Sequence, residues 1–489
     1  MRTVFLSLPG SDWHSQLSEF YRTDVEVPGK LTVDGKPYQG VGVRYRGSSS
    51  YIMVSTLKKK SINISVDYTD ESLRIDGNRT INFLNCNQDI SLIRDAFFAR
   101  IAGEYVPTPR VNFVKLVING ANWGAYANAQ QFNKDFLKDW FGSRKAVRWK
   151  IERNFRGVGA LRYLGEDKAD YQRAFQLKTK NDPQAWSRLI RFCKLLNETP
   201  VEEREAVLPA VLDVDRTLWF LALEWVFEDS DGYVKQGYDY RLVELPDGRF
   251  LPILYDNNEI LPRPIPNRPV ARRQGQRGFG SDPLEQMDND LRPLMSRLLA
   301  VPAWRARYLA HVRTVATHCL DWQKIGPVCQ GFHDLITAEV KKDRRRLTTL
   351  TAFEGSLDEL QMLCARRSRM VLAHPSLAGP RPEIAQPRVQ AIGGGDSGQP
   401  ARVQIDVGVV GEVPLAGVFL YYRWAPHAAF KRVAMREAGD RRFVGLSSEL
   451  EDGEGLDFYI EARAPEDLDV TMFHPEAAEA RPAHFAISK

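Results

Sequence analysis

Arg44 to Ser50 reads RYRGSSS and follows an extended, alternating run. Gly47, three hydroxyls and the backbone N–H groups of such a loop can approach phosphate oxygens closely and donate several hydrogen bonds to them. Arg44 and Arg46 fall on one face of the strand and would add positive charge, although a tight turn with solvated arginines has the same composition. Shortly afterwards comes KKKSINISVDY. Period-two alternation sets Lys60 with Ile62 and Ile64, and Lys59 with Ser61, Asn63 and Ser65. Phosphoryl transfer commonly sets a strand lysine against phosphates, and a lysine on a buried face needs a partner. Lys60 is therefore chosen over Lys58 and Lys59, with Asp95 or Glu104 of the following helix as its expected partner; a solvated edge-strand charge run is the alternative. The third stretch is RFLPILYDNNEIL, Arg249 to Leu261. Its apolar run stops abruptly at four oxygen-bearing side chains, Asp256, Asn257, Asn258 and Glu259, which suits either a binding site or a solvated strand end.

The elements that must position these residues are legible in outline. KLTVDGKPYQGVGVRYRGSSS carries a hairpin signal at Asp34-Gly35, and RVNFVKLVING followed by NWGAYANAQQF carries another at Asn119-Gly120. SLIRDAFFARIAGEY has helical apolar spacing, with Ser91 as the expected N-cap. After about residue 135 helices dominate: QAWSRLIRFCKLLNE, VDRTLWFLALEWVFED, LRPLMSRLLAVPAWRARYLAHVRTVATHCL and GFHDLITAEVKKDRRRLTTL. They are interrupted by a strand pair, YDYRLVEL and RFLPILYD, across Pro246-Asp247-Gly248. Ile260 to Ser281 is Pro- and Arg-rich and reads as a loop. A Pro/Gly-rich stretch then precedes short alternating strands, the pattern of an immunoglobulin-type β-sandwich.

Composition narrows the classes. The 489 residues are enough for two or three domains. Hydrophobic residues are 43%, charged residues 26%, and the net charge of +5 is spread along the chain. A dedicated nucleic-acid binder concentrates its basic residues instead, so no nucleic-acid partner is expected. The run KKDRRR, Lys341 to Arg346, reads first as a solvated helix face and second as a contact for an acidic partner. The five cysteines form no C-x-x-C pair; free buried thiols are expected over a Cys319–Cys329 bridge. His311 and His318 stand one heptad apart, spacing that suits core or surface positions better than a metal site. No apolar run reaches the roughly 18 residues of a membrane span, and the N-terminus, MRTVFLSLPGSDW, is too short and interrupted for a signal peptide.

A strand-rich start followed by helices is the order of the two lobes of a protein kinase, yet G-x-G-x-x-G, V-A-I-K and H-R-D are absent. The stretches VGVRYRGSSSY, KKKSINISVD, SLIRDAFFARIAGEYVPTPRVNFVKLVINGANWGAY and DSDGYVKQGYDYRL…ILYDNNE together resemble the CotH family, spore-coat and secreted proteins with an atypical protein-kinase fold. The resemblance runs from about Val25 to about Leu320, in family order. With the C-terminal composition and strand pattern adding a linker over 376–386 and an immunoglobulin-like β-sandwich over 387–489, it implies an α+β, two-lobed kinase-like domain over 1–375 (a strand-rich lobe to about 130, a helical lobe from about 131). It also implies Mg²⁺- or Mn²⁺-dependent transfer of the ATP γ-phosphate to protein hydroxyls, autophosphorylation included.

Residue roles follow from the same resemblance. Asp231-Gly232-Tyr233 matches the family's Asp-x-Tyr, and Tyr238-Asp239-Tyr240 its His-Asn-Tyr-like element. Tyr255-Asp256-Asn257-Asn258-Glu259 matches its Trp-Asp-x-Asn-Glu-like element. Asp231 would orient the acceptor hydroxyl or take its proton. Asp256 would hold the metal, Asp239 would be a second ligand, and Asn258 and Glu259 would support them. Arg44, Arg46, Gly47, Ser48, Ser49 and Lys60 would meet the nucleotide phosphates. Gln130, where many relatives have Glu, marks the inter-lobe stretch expected near the adenine. Hard oxygen ligands at a strand end suit Mg²⁺, which prefers one or two carboxylates plus water and phosphate oxygens. The chain departs from the pattern at Asp239 (usually Asn), at Tyr238 (usually His) and at Ile260-Leu261. The alternatives are a degenerate kinase fold serving as a cell-surface or matrix binding protein, or nucleotidyl transfer with ATP reversed. The family is commonly extracellular or cell-surface, and the C-terminal domain is expected to capture a surface or matrix partner.

Overall fold

Alternation of apolar and polar residues through the first third builds strands, and pairing them in register closes a barrel. The computed structural model describes all residues except 57, 154–156, 180–181, 264–279, 281, 394–401, 425–429, 450–454 and 487–489; most of the loop expected at 260–281 lies outside the described residues. The strands are β1 (Arg2–Ser7), β2 (Val27–Val33), β3 (Lys36–Arg46), β4 (Ser61–Ser65), β5 (Thr80–Leu84), β6 (Val111–Ile118) and β7 (Ala121–Gln130). They close in the order β1-β2-β3-β4-β5-β7-β6. The closing pair, β1 with β6, is parallel. Both foreseen hairpins are present, with positive φ at Asp34 and Gly35 (50° and 78°) and at Asn119 and Gly120 (46° and 80°). That is the type I′ geometry whose twist matches the flanking strands. Val41, Val43, Ile62, Ile64, Phe83 and Leu116 fill the barrel.

The helices that matter for the site are α1 (Trp13–Glu19), α2 (Ser49–Ile52), α3 (Arg94–Ala102), α4 (Ala185–Glu198), α5 (Val214–Val226), α6 (Pro302–Thr314), α7 (Trp322–Lys342) and α8 (Ser356–Leu372). The cap expected from Ser91 does not form in that way, because α3 starts later. The Asp89 carboxylate accepts from the backbone N–H groups of Ser91 and Arg94 instead, both at 2.9 Å. Nearly every residue of α5 is buried, including Trp219, Phe220 and Trp225, as expected of a helix apolar on all sides. Its C-terminal carbonyls are capped from α8. The wholly buried Arg367 guanidinium donates to Trp225 O at 2.7 Å and Val226 O at 3.0 Å, groups that the helix itself leaves unsatisfied.

A second sheet has the order β11-β10-β8-β9, from β8 (Val147–Ile151), β9 (Phe175–Leu177), β10 (Arg241–Glu244) and β11 (Phe250–Ile253). Pro252 is tolerated because β11 is an edge strand. This sheet and the segment that leaves it are tied to the two ends of α5: Asp213 N–H donates to Phe250 O of β11, and Leu261 N–H, beyond β11, to Phe227 O.

The C-terminal strands are β12 (Glu383–Ile384), β13 (Arg388–Ile392), β14 (Arg402–Val410), β15 (Gly417–Arg423), β16 (Lys431–Ala434), β17 (Arg436–Glu437), β18 (Arg442–Leu446), β19 (Gly455–Arg463), β20 (Thr471–His474) and β21 (Ala483–Ala486). They form two sheets sharing one apolar core that includes Val403, Ile405, Leu420, Phe443, Phe458 and Ile460. The stretch read as a linker is partly ordered by pairing and burial: Leu377 is buried, and Glu383–Ile384 pairs with β14. β19 and β20 sit against α6 through a buried charge cluster. Arg307 donates to Asp215 at 2.8 Å and lies 3.5 Å from Glu461, while His311, stacked on Trp219, contacts Asp215 at 3.1 Å. His311 is thus a core residue. All five cysteines are free and buried.

The basic run at the end of α7 is not a solvated face throughout. Asp343 reaches under the barrel to Lys59 Nζ at 2.9 Å, with both side chains 1% exposed. Lys59 also donates to Ala125 O at 2.7 Å, and Arg345 stacks on Trp123. Removing one member of a buried pair strands the other's charge. Asp343→Ala should therefore cost about 3–5 kcal/mol in equilibrium urea unfolding, and Lys59→Met combined with Asp343→Leu should recover most of that loss.

Candidate active site

The open end of the β10/β11 hairpin supplies two carboxylates, Asp239 and Asp256. Arg241 pairs with Ile253, so Asp239 and Asp256 flank the same end of the ladder. Both residues adopt the left-handed region, at φ 56° and 60°. Asp tolerates that region better than bulky residues do, and the turn takes each side chain out of the strand path. Asp231 comes from the loop after α5. Glu224 of that helix accepts from Val234 N–H at 2.8 Å, and a Cβ on Gly232 would lie 2.9 Å from its carboxyl, so only glycine lets the loop sit this close. Asp229 accepts from the Asn257 side chain at 2.6 Å and from Asp231 N–H at 3.2 Å, locking the two acidic segments together.

These residues face a cleft of 760 Å³ between the barrel and the second sheet. Of the residues singled out in the sequence, Arg44, Arg46, Gly47, Ser48, Ser49, Asp231, Asp239, Asp256 and Asn258 line it. Gly47, at φ 90°, makes the turn out of β3. The loop it starts is braced by the segment after α1: Tyr21 Oη donates to Gly47 O at 2.6 Å and Arg22 to Ser48 Oγ at 2.9 Å. Asn258 donates to Asn87 O at 3.0 Å, and Glu259 accepts from Ser230 Oγ at 2.8 Å.

Two of the expected residues are placed elsewhere. Lys60 is buried as its alternation requires, but it does not line the cleft. Its ammonium donates to Tyr51 O at 2.6 Å and to Val54 O, and lies 4.4 Å from the Tyr51 ring centroid. Backbone carbonyls, not Asp95 or Glu104, answer its charge, and burial lowers its pKa. Glu104 is engaged by Arg100 and Arg481. Gln130 also lies outside the cleft, donating to Asp139 at 2.8 Å, while its neighbours Gln131 and Phe132 line the wall.

Arg46, unlike Lys60, lines the cleft. It donates to Tyr255 Oη at 2.9 Å. Burial alone would lower its pKa, but Tyr255, Asp256 and Asp95 together raise it. Arg241 stacks 3.7 Å from the Tyr255 ring centroid, and the two arginines outweigh burial to lower the Tyr255 pKa. Asp95 lines the cleft too, although not as the partner of Lys60, and the residues that the sequence reading missed are a basic wall of Lys150, Arg153, Lys178 and Arg241. A signal existed: VRWKI alternates, with buried positions at Val147, Trp149 and Ile151, which sets Arg148 and Lys150 on the other face.

The cleft is therefore divided largely by sign, cations along the barrel loop and β8–β10, carboxylates at the hairpin end and the loop after α5, with Glu152 on the cationic side paired to Lys150 at 2.9 Å. Burial, then the Asp256 charge, pushes the Asp95 pKa up to about 8. Burial likewise raises Asp229 to about 7, and Asp239 rises with burial and Asp256 as the causes. Asp231 is raised by burial against the pull of Arg153, 3.3 Å away. Among the described residues no three of His, Cys, Asp and Glu form a ready metal cage. The donor set fits a hard cation completed by phosphate and water, since Asp256 and Asp239 offer carboxylate oxygens and Asn258 an amide oxygen.

These raised values fix the sign of a pH effect. A carboxyl whose folded pKa lies above its unfolded value binds its proton more tightly when folded, so its stabilising contribution is complete below the unfolded pKa and lost as pH rises through the folded one. For Asp95 and Asp229 that window runs from near 3.8 up to about 8 and about 7. The nucleotide-free protein should melt at lower temperature at pH 8 than at pH 5, and Asp95→Asn should reduce that difference by about 2–4 °C. Calorimetry at the two pH values checks this.

No relative among curated proteins matches the chain. Residues 43–371, more than half of it, match the family model described as CotH kinase protein. The matched range takes in the end of β3 and its loop, α3, the second sheet and both acidic segments: the chain belongs to the CotH family.

Proposed function

We propose that the protein is an atypical protein kinase that transfers the γ-phosphate of ATP to protein Ser, Thr or Tyr hydroxyls, its own included, with Mg²⁺ or Mn²⁺. The observation that carries this reading is the division of one cleft into a cationic wall and a carboxylate floor. Phosphoryl transfer asks for positioning and charge neutralisation rather than covalent help, and this chain supplies both in adjoining surfaces. Arg44, Arg46 and the Gly47–Ser49 loop would hold the phosphates, with Lys150 and Lys178 completing the wall. Asp256, Asp239 and Asn258 would hold the divalent cation, which when bound neutralises phosphate charge. Asp231 would orient the acceptor hydroxyl and take its proton, a role that suits its raised pKa. Lys60 fits a bracing role, fixing the segment after the Ser48–Ser50 turn through Tyr51 and Val54.

The same proposal covers the architecture. Residues 1–375 form a kinase-like domain, its barrel the N-terminal lobe and its helices the C-terminal one, with 376–386 as a connection. Residues 387–489 form an immunoglobulin-like β-sandwich that recruits a surface or matrix partner. One observation favours a second reading, a nucleotide-binding protein without turnover: Asp231 is already engaged by Arg153 at 3.3 Å and by Tyr238 at 3.5 Å.

Incubation with γ-labelled ATP and either metal should label the protein itself or an added protein acceptor, whereas α-labelled ATP should not. Asp231→Ala and Asp256→Ala should each lower transfer by about 10²-fold or more while nucleotide-free stability is retained. Label-free protein across both metals would leave the binding-only reading. Arg46→Met should raise the KM for ATP by about 10- to 100-fold, the size of a lost charged hydrogen bond, with a smaller effect on kcat.

A further inference from the structure

A second cavity, of 310 Å³, lies away from the cleft, where the C-terminal sheets meet α6. Its lining includes Arg313 and Thr314 of α6, Arg381 just before β12, and Met472 and His474 of β20. Arg313 is 8% exposed. Its guanidinium finds only long contacts, two to Leu377 O at 3.4 Å and one to Met472 Sδ at 3.7 Å. Among the described residues no carboxylate lies within ion-pair distance of it, and Arg381 makes no side-chain hydrogen bond or ion pair. Glu476, also at the cavity, is paired with His318, and Glu383 stands exposed on the rim.

A buried guanidinium without a counter-charge at ion-pair distance is costly. Burial, then the Arg381 charge, draws the Arg313 pKa down to about 10, against the weaker pull of Glu476. A second arginine at the same cavity deepens the deficit instead of relieving it. Two planar guanidinium groups match a phosphate in charge and in hydrogen-bond geometry better than they match a single carboxylate, and the Thr317 hydroxyl adds a neutral donor; that of Thr314 is already given to Ala310 O at 3.1 Å. The volume lies at the small end of the range of about 300–1,000 Å³ usual for ligand sites, so it takes more than a bare ion but less than a nucleotide.

We propose that this junction cavity is a binding site for a small phosphate-bearing anion, held by Arg313 and Arg381 between the helical part and the C-terminal sheets. It is distinct from the cleft and does not depend on kinase activity.

Met472 reports on this cavity alone, since its sulfur touches Arg313. In full-length protein labelled at the methionine methyls, titration with inorganic phosphate and, separately, with phosphoserine should shift the Met472 resonance, assigned through Met472→Leu. The better-bound of the two tells a free phosphate from a phosphate monoester. The shift should persist with Arg46→Met, which disables the phosphate wall of the cleft. It should vanish with Arg313→Met, and Arg381→Met, a change at an exposed residue that leaves the fold intact, should weaken binding about tenfold. Arg313→Met should also melt higher than wild type in phosphate-free buffer. No Met472 shift with either phosphate compound, an unchanged titration in Arg381→Met, or an equal response to acetate would each overturn the proposal.

Discussion

Like charges resist being gathered, and the site gathers them. Asp95, Asp229, Asp231, Asp239, Asp256 and Glu259 act on one another strongly enough that burial and mutual repulsion raise the pKa values of five of them. A chain left to itself would spread these groups into water. Holding them together requires backbone anchors stiff enough to resist the repulsion, and much of the architecture around the cleft serves that end. Helix α5 is buried nearly all round, capped by Arg367 and joined at its two ends to β11 and to the segment that follows β11. The loop that leaves it and the hairpin end that faces it cannot drift apart without breaking core contacts.

The cationic wall answers this floor, and its composition follows from the same electrostatics. An arginine at position 46 touches several groups at once through a planar fork, whereas a lysine is a compact point charge. Arg46 can therefore engage Tyr255 while remaining in the field of Asp95 and Asp256. Tyr255 becomes part of the electrostatic frame, held between Arg46 and Arg241. A tryptophan, usual at this place in the family pattern, has an indole N–H that donates and cannot accept from an arginine. The tyrosine and the two arginines thus make sense only as a set.

Much of this was legible before any coordinates. The Asp-Gly and Asn-Gly turns dictate their hairpins locally, and the acidic segments carry their motifs in sequence. Burial of Lys60 was legible too, although alternation did not foretell that the opposite face, with Lys59, Ser61 and Asn63, is buried as well. The partner of Lys60 was not legible: whether a buried ammonium meets a carboxylate or a pair of carbonyls depends on how the chain folds back, here through Tyr51 and Val54 only a few residues away. Alternation in VRWKI sets Lys150 on the less buried face, but that this face lines the cleft beside Lys178 follows from the pairing of β8 with β9 and β10, which no local pattern encodes. The parallel β1/β6 closure and the Lys59–Asp343 pair, 284 residues apart in the chain, are invisible for the same reason. Ser91 shows a smaller failure of the same kind: Asp89, two residues upstream, is an equally good capping residue and a stronger acceptor.

The C-terminal sheets pose the converse question, why a unit with its own core should be welded to the helices. Their junction is not an apolar patch that water could reopen cheaply. Arg307 binds Asp215 on one side and approaches Glu461 on the other, with His311, Tyr459 and Phe473 closing around it. Separating the two parts would expose Glu461 but leave Asp215 and Arg307 partly enclosed in the helical side, so the charges would not all be rehydrated at once. Breaking one partner from a buried charge cluster costs several kcal/mol, which argues for a fixed junction and not a hinge. The sheets then stand in a set relation to the cleft, and whatever they hold is presented to it in a defined orientation.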